Sequence, residues 1–350
     1  METTNFVYNL IPNETIAIIV ISVIPLIFLI VYALLAILGE LKISAWIQER
    51  LGPMRTGPWG ILQPIAEVVK LIQKEDLTPD SANKPLFNLA PYIIFMGAYA
   101  SFAVIPFSRY FVPSGINIGL FYIFAVGSIA VIGIVMGGWA SNNKYSLLGA
   151  MRSVAQIISY EIPGAMAILS VAVLASSLDL EKINIAQEGG IWNWFIFGGQ
   201  GSWSKIWVFP FTLVLSLIYL VASLAETNRT PFDIPEGESE LVAGYHTEYS
   251  GMKFAMFFFA EYANMFVVAA VLTITFFGGW NSPFGNFMQG PGWDVFWFIS
   301  KAFFFVILQI WLRWTLPRLR VDQLMYVGWK VLLPFSFICF LFISLFKMIN

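Results

Sequence analysis

Charged residues are scarce in this chain: they make up 11% of its 350 residues, whereas soluble domains contain about a quarter. Hydrophobic residues make up 58%, and a water-soluble domain of this length could not bury so much apolar surface. The formal net charge is −2, so composition gives no electrostatic argument for binding nucleic acid. These values predict a protein whose natural solvent is the lipid bilayer.

Cysteine and histidine are almost absent, with one residue of each. A single cysteine, Cys339, excludes an internal disulfide and any site built from several cysteines. The sequence also contains no GxGxxG, Walker A, HExxH or CxxC pattern. We therefore expect this chain to carry no redox centre, nucleotide site or metal site of its own.

Long apolar runs dominate the rest. A helix needs about 20 apolar residues to cross the hydrocarbon core, and eight runs qualify, at approximately 15–38, 86–108, 116–138, 154–177, 206–225, 254–277, 295–313 and 324–346. The first run lacks a preceding Lys or Arg and a following cleavage pattern, so we expect it to be a retained span and not a signal peptide. The sequence predicts an all-α polytopic membrane protein, with residues 1–350 forming a single membrane domain.

Positive charge is distributed unevenly between the connections. Thirteen Lys and Arg residues lie in the odd-numbered connections and three in the even-numbered ones. Because cytoplasmic loops retain Lys and Arg, this bias predicts that the odd connections are cytoplasmic. Both termini are then expected on the opposite side.

The first connection has a structure of its own. Glycines and prolines at 50–60 favour tight turns. After them, Ile61, Ile65, Val68 and Ile72 recur at helical spacing, with polar residues on the opposite face. This pattern predicts an amphipathic helix, which either lies at the membrane interface or packs against a partner.

The most polar stretch, AETNRTPFDIPEGESELVAGYHTEY (225–249), separates the fifth and sixth spans. Its acidic residues are Glu226, Asp233, Glu236, Glu238, Glu240 and Glu248. It also holds the only histidine, His246, which titrates near neutral pH and could relay protons. A lone histidine in a loop is, however, more often a solvated or hydrogen-bonded group.

Carboxylates also occur within or next to the spans. Glu161 and Glu261 lie inside the fourth and sixth spans, while Glu40 and Glu226 close the first and fifth. A buried carboxylate costs roughly 2.5–3.5 kcal/mol on insertion scales and commonly marks a proton or ion path. With the acidic stretch, these residues predict a chain of carboxylates that relays protons. The alternative is that each carboxylate is neutralised by a nearby cation such as Arg152.

Three long motifs resemble one known family. The stretch at 225–250, together with RLGPMRTGPWGILQPIAEVVKLIQKE (50–75) and GGWASNNKYSLLGAMRSVAQIISYE (137–161), is similar to the H subunit of NADH–quinone oxidoreductase, the counterpart of mitochondrial complex I subunit 1. The resemblance implies eight spans in a bacterial inner membrane, a quinone-access chamber and a polar path that couples quinone reduction to proton pumping. The substrate would be ubiquinone or menaquinone, with NADH, FMN and iron–sulfur clusters in partner subunits. Those partners would be peripheral-arm subunits, small membrane subunits and antiporter-like membrane subunits.

The same resemblance assigns roles to individual residues. The proton-coupling carboxylates would be Glu161, Glu226, Asp233, Glu236, Glu238, Glu240 and Glu261. The residues of the quinone chamber would be Glu40, Arg50, Arg229, Arg313 and Arg318. Two positions depart from the pattern, because Leu41 and Gly115 stand where many members have Arg and Asp. One arginine of the chamber is therefore absent or replaced.

Three other functions fit parts of the sequence. The related membrane subunit of an energy-converting hydrogenase would use no quinone. A stand-alone cation/proton antiporter would also place glutamates in its spans. A passive anchor for soluble subunits would need none of the carboxylates for turnover.

Overall fold

The computed structural model describes residues 13–199, 204–235, 237–285 and 287–349, and within them the chain is helical and forms no β-strand. The helices, in chain order, are α1 Glu14–Ile47, α2 Gln63–Gln73, α3 Lys84–Ser101, α4 Gly119–Ala140, α5 Lys144–Ala175, α6 Leu180–Ile185, α7 Ser204–Glu226, α8 Glu238–Leu241, α9 Gly251–Phe276, α10 Pro291–Thr315, α11 Val321–Tyr326 and α12 Leu333–Ile349. A π-helical turn at Val327–Leu332 joins α11 to α12.

Seven of the described helices are long and apolar enough to cross a membrane, if α11, the π-helical turn and α12 are taken as one. The others are α1, α4, α5, α7, α9 and α10. The short amphipathic helix expected in the first connection is α2. The predicted fold class, an all-α polytopic membrane protein, is therefore confirmed.

The second expected span corresponds to α3, which differs from the other seven. It has 18 residues, which is about 27 Å at 1.5 Å per residue. Lys84, Asn88 and Pro91 lower its hydropathy, and it ends at Ser101, before the expected end at residue 108. Its crossing of the membrane, and with it the total of eight spans, stays a prediction.

Helix α9 is the centre of the bundle. Nearly every residue from Glu261 to Phe276 is buried, and the helix packs against α1, α3, α7 and α10. Helices α3 and α4 approach closely through small residues: a Cβ on Gly97 would lie 3.3 Å from the backbone nitrogen of Ala130. Such approaches are typical of helix packing in membranes.

The connections between the long helices fall into two groups, and the contacts described below join connections of the same group. In one group, Asn143 Nδ2 donates to Glu248 Oε1 at 2.5 Å, and the Leu319 nitrogen donates to the Pro231 carbonyl at 3.1 Å. These contacts join the connections after α4, α7 and α10, which are odd-numbered if α3 is a span. In the other group, Arg109 forms an ion pair of 2.6 Å with Glu188. The sorting agrees with the alternation that the eight-span prediction requires.

A partly buried lysine closes the C-terminal end of α9. The ammonium of Lys301, on α10, donates to the carbonyls of Phe277, Gly279 and Asn281 at 2.9, 2.9 and 2.7 Å. It also lies 4.1 Å from the centroid of the Trp194 ring. Its three protons therefore satisfy carbonyls that lie just beyond the helix end. We call this arrangement the lysine cage.

The connection between α1 and α2 is a compact turn. Gly60 has a φ of +77°, and a Cβ there would lie 2.0 Å from the Pro53 carbonyl oxygen, so the position requires glycine. Lys42, on α1, donates to the same carbonyl at 2.7 Å. The apolar face of α2 remains accessible, since Ile65 and Ile72 are 46% and 60% exposed.

Candidate functional site

Glu40 is buried near the end of α1 and is bound by side chains from three other segments. Arg229 Nη1 lies 3.2 Å from Glu40 Oε2, and the Tyr262 hydroxyl donates to the same oxygen at 2.6 Å. Arg313 Nη1 donates to Oε1. We call these four residues the Glu40 cluster. Two guanidinium groups and one carboxylate give it a formal charge of +1.

Local structure places Arg229 in this cluster. Helix α7 ends at Glu226, and Asn228 adopts a left-handed conformation with a φ of +50°. This turn directs the next residue back towards the bundle, where the Arg229 nitrogen donates to the Leu224 carbonyl at 3.2 Å. The guanidinium then lies over the Tyr262 ring, 4.7 Å from its centroid.

Three of the predicted coupling carboxylates line one cavity. Glu161, Glu226 and Glu261 line a partly enclosed space of about 40 Å³. Because a water needs roughly 10–15 Å³ by this measure, the space accommodates a few water molecules. Glu161 and Glu226 also line a second cavity of about 20 Å³. We call the first space the carboxylate cavity.

Hydroxyl groups orient two of these carboxylates. The Tyr245 hydroxyl donates to Glu261 Oε1 at 2.8 Å, and Ser128 Oγ donates to Glu161 Oε1 at 2.7 Å. Tyr245 comes from the acidic stretch, whereas Ser128 lies on α4. The carboxylate cavity is therefore assembled from several elements that are distant in sequence.

The acidic stretch places its remaining carboxylates elsewhere. Asp233 is partly buried, between buried Phe232 and Ile234. Glu240 is exposed and pairs with Arg152 at 2.6 Å, and this hydrogen bond lowers the pKa of Glu240. The backbone of the Glu238 position begins α8. Glu236 lies outside the described residues.

Two of the five predicted chamber residues lie outside the Glu40 cluster. Arg50 is exposed, and its Nε donates to Gln48 Oε1 at 2.7 Å. Arg318 Nη2 donates to the Ile234 carbonyl at 3.1 Å and therefore joins the acidic stretch. Within the described residues, the structure thus brings Glu40, Arg229 and Arg313 together.

His246 is packed among aromatic rings. Its ring centroid lies 5.3 Å from that of Phe254 and 5.5 Å from that of Phe258. Burial lowers the pKa of His246 to about 4, so the imidazole is neutral at pH 7. The residue is neither a solvated loop histidine nor a group that titrates near neutral pH.

Sequence reasoning missed the hydroxyl donors. Tyr262 and Tyr245 were not singled out, although Tyr262 is adjacent to Glu261 and Tyr245 is adjacent to His246. The only available signal was this proximity to ionisable residues. Adjacent positions on α9 serve the two sites: Glu261 lines the carboxylate cavity, and Tyr262 binds Glu40.

This chain is similar in sequence to known proteins over most of its length. The sequence model of a family described as NADH dehydrogenase matches residues 19–344. The H subunit of NADH-quinone oxidoreductase from Chlorobium luteolum is 54% identical over 332 residues, covering 92% of this chain and 87% of the relative. The protein of the same name from Chlorobaculum parvum is 53% identical over 333 residues, covering 92% and 90%. The H subunit 2 of NADH-quinone oxidoreductase from Cytophaga hutchinsonii is 45% identical over 342 residues, covering 88% and 93%.

Proposed function

This chain belongs to the H-subunit family of NADH-quinone oxidoreductase, and we propose that it forms the quinone-access chamber of that enzyme and the acidic path that couples quinone reduction to proton pumping. It is a multi-pass membrane subunit of an enzyme complex. Its two polar sites would have different roles: the Glu40 cluster would bind the quinone, and the carboxylate cavity would carry protons.

The main support for the quinone chamber is the Glu40 cluster. A quinone head group offers carbonyl oxygens as acceptors, and its reduction develops negative charge on them. A cluster with a formal charge of +1 and guanidinium donors favours such charge. Arg313 and Glu40 would lie at the reacting end of the chamber, with Arg229 behind them. Arg50 and Arg318 would act at its margin.

The carboxylate cavity supports the coupling path. Nearby carboxylates that share a few waters exchange protons readily and titrate as a group. Glu161, Glu226 and Glu261 would form its core. The remaining carboxylates of the acidic stretch (Asp233, Glu236, Glu238 and Glu240) would extend it towards the surface.

Helix α9 gives the two sites a physical connection. Tyr262 contacts Glu40, and the preceding residue, Glu261, accepts from Tyr245. A change in charge at Glu40 would therefore act on a helix that also carries a cavity carboxylate. This is how quinone chemistry would bias the protonation of the acidic path.

The substrate, the partner subunits and the orientation in the membrane would be those of the family. The quinone would be ubiquinone or menaquinone, and NADH, FMN and iron–sulfur clusters would lie in partner subunits. Peripheral-arm subunits would dock on the connections after α1, α4, α7 and α10, which hold most of the positive charge outside the spans. Those connections would be cytoplasmic, and both termini would lie across a bacterial inner membrane. Small and antiporter-like membrane subunits would flank the bundle.

The coupling path is tested with Glu161→Gln and Glu226→Gln in the intact complex. We expect each change to lower quinone reduction and proton translocation together, by at least about ten-fold, or about 1.4 kcal/mol in the barrier. Glu188→Gln is the control, because Glu188 is a part-exposed partner of Arg109. Unchanged activity and pumping in both cavity variants would instead support a passive anchor. If reduction fell but the proton-to-electron ratio did not, that glutamate would not belong to the relay.

The chamber is tested with Arg313→Ala. We expect quinone turnover to fall more than the amount of assembled complex, because Arg229 still neutralises Glu40. A native gel measures assembly, and steady-state kinetics with a quinone measure turnover. Loss of the complex itself would indicate a structural role for Arg313.

A further inference from the structure

We propose that Tyr262 is a positioning residue of the Glu40 cluster: it fixes Glu40 and Arg229 as a rigid base, which leaves Arg313 as the cation that engages the quinone. The inference rests on the proposed quinone chamber and assigns different tasks to the two arginines. Tyr262 itself touches no substrate in this scheme.

The two oxygens of Glu40 are bound from different sides. Oε2 accepts from the Tyr262 hydroxyl at 2.6 Å and from Arg229 Nη1 at 3.2 Å. Oε1 is the oxygen that Arg313 binds, and its distance from Arg229 is longer, at 3.4 Å. The phenol therefore fixes the rotation of the carboxylate and presents Oε1 to Arg313.

The ring of Tyr262 acts on Arg229 as well. The guanidinium carbon of Arg229 lies 4.7 Å from the ring centroid, within the range of a cation–π interaction. One side chain thus contacts both members of the buried Arg229–Glu40 ion pair, through its hydroxyl and through its face. Movement of either member would break a contact with the same residue.

Exposure separates the two arginines. The Arg229 side chain is 4% exposed, whereas that of Arg313 is 22% exposed. A ligand that approaches the cluster from outside the bundle would meet Arg313 before Arg229. Arg313 can exchange its carboxylate contact for a quinone oxygen, while Arg229 keeps Glu40 neutralised.

Tyr32 provides a matched control. It lies on α1, eight residues before Glu40, and is near enough to interact electrostatically with Glu40, Arg229 and Tyr262. Its hydroxyl is buried and has no hydrogen-bond partner among the described residues. Tyr32→Phe and Tyr262→Phe therefore remove the same group from the same neighbourhood, but only the second removes a bond to Glu40.

The experiment measures KM and kcat for a short-chain quinone in native membranes that contain the full complex. We expect Tyr262→Phe to raise KM roughly five- to ten-fold, the equivalent of one hydrogen bond, with kcat changed less. Tyr262→Leu, which also removes the ring, should have a larger effect and should lower kcat as well. Tyr32→Phe should leave both constants at the wild-type value.

Two outcomes would overturn the inference. If Tyr262→Phe and Tyr32→Phe gave the same KM and kcat, the hydrogen bond from Tyr262 to Glu40 would not be needed to position the cluster. A fall in assembled complex with an unchanged KM in the remaining molecules would show a purely structural role. Arg313→Ala distinguishes the failures: if it raises KM while Tyr262→Phe does not, the chamber stands and only the positioning role is lost.

Discussion

Two ionic groups contact different parts of α9 or its end: Glu40 contacts Tyr262 near the middle of the helix, and Lys301 contacts the backbone just beyond its C-terminal end. The two groups are held in different ways. In the lysine cage, the three ammonium protons of Lys301 meet three backbone carbonyls. In the Glu40 cluster, a carboxylate is held by side chains from three other segments. Tyr262, which binds Glu40, and the end of α9 at Phe276 are about 21 Å apart along the helix, at 1.5 Å per residue.

The difference separates fixed charges from exchangeable ones. The three carbonyls belong to the backbone of the connection that follows α9, so Lys301 cannot change these partners by rotation of side-chain bonds in the acceptors. In the Glu40 cluster, by contrast, the partly exposed side chain of Arg313 can exchange its partner by rotating a few bonds. We expect structural ions to be of the first kind and ions that respond to a substrate to be of the second.

The largest effect is expected from Lys301→Met. The change leaves the carbonyls of Phe277, Gly279 and Asn281 without their donor, which should cost about 3–5 kcal/mol. The temperature at which the assembled complex is lost, followed on native gels, measures this effect. Specific quinone turnover per remaining complex should be unchanged, in contrast to the variants of the Glu40 cluster.

Lys330→Met is the matched control for this change. Lys330 also lies in an apolar helix but is exposed, and its ammonium is 5.1 Å from the centroid of the Tyr326 ring. Its loss should leave the temperature of disassembly nearly unchanged. If Lys301→Met behaved like Lys330→Met, the lysine cage would not be a structural ion site, and the comparison would fail.

A smaller effect is expected from acid, through His246. Its pKa is about 4 in the fold and about 6.5 when unfolded. Because the folded pKa is depressed, the native state binds fewer protons than the unfolded state as pH falls from about 6.5 towards 4. The fold should lose about 2 kcal/mol at pH 5 from this residue alone.

Hydrogen exchange of residues 244–249 at pH 7 and pH 5 measures this loss. Protection factors, which correct for the slower intrinsic exchange of amides at lower pH, should be smaller at pH 5 than at pH 7. This difference should disappear in His246→Asn, which cannot titrate. An unaffected difference in that variant would assign the acid response to another group. If His246 were instead protonated near pH 7, the acidic stretch would contain a further group that can carry protons. The lysine cage contains no such group among its backbone carbonyls.

The smallest effect is expected from Ser128→Ala. The change removes a donor to Glu161 at 2.7 Å, which should alter coupled turnover roughly five-fold, or about 1 kcal/mol. Ser170→Ala is the control on α5, because Ser170 Oγ donates to the Met166 carbonyl of its own helix at 2.7 Å. Equal rates in the two variants would show that the orientation of Glu161 does not matter for turnover.

Much of the fold followed from the sequence, because the length and hydropathy of apolar runs depend on local composition. The end of α3 did not, since the apolar run continues to residue 108 whereas the helix ends at Ser101 and is followed by a turn at 102–104. The buried glutamates were also predictable, because a carboxylate within an apolar run is costly wherever it lies.

The partners of these glutamates were not predictable from the sequence. Arg50 and Arg313 are the same residue type, each close to the end of a long helix, yet only Arg313 reaches Glu40. The choice depends on how α1, α9 and α10 pack, which no local pattern encodes. The role of Tyr262 could not be predicted for the same reason. A tyrosine in a helix rich in aromatic residues indicates no function until its contact with Glu40 is known.

The small volume of the carboxylate cavity has a consequence for what can pass through the protein. A space of about 40 Å³ admits water and excludes any molecule with a six-membered ring. In the proposed coupling path, the Glu161–Glu226–Glu261 region would therefore admit water and protons but not a quinone. Gly127, in its wall, has room for one methyl group, which would lie 3.8 Å from Glu226 Oε1. In the proposed path, a methyl group at that position would take up part of the space beside Glu226 and would leave less room for water.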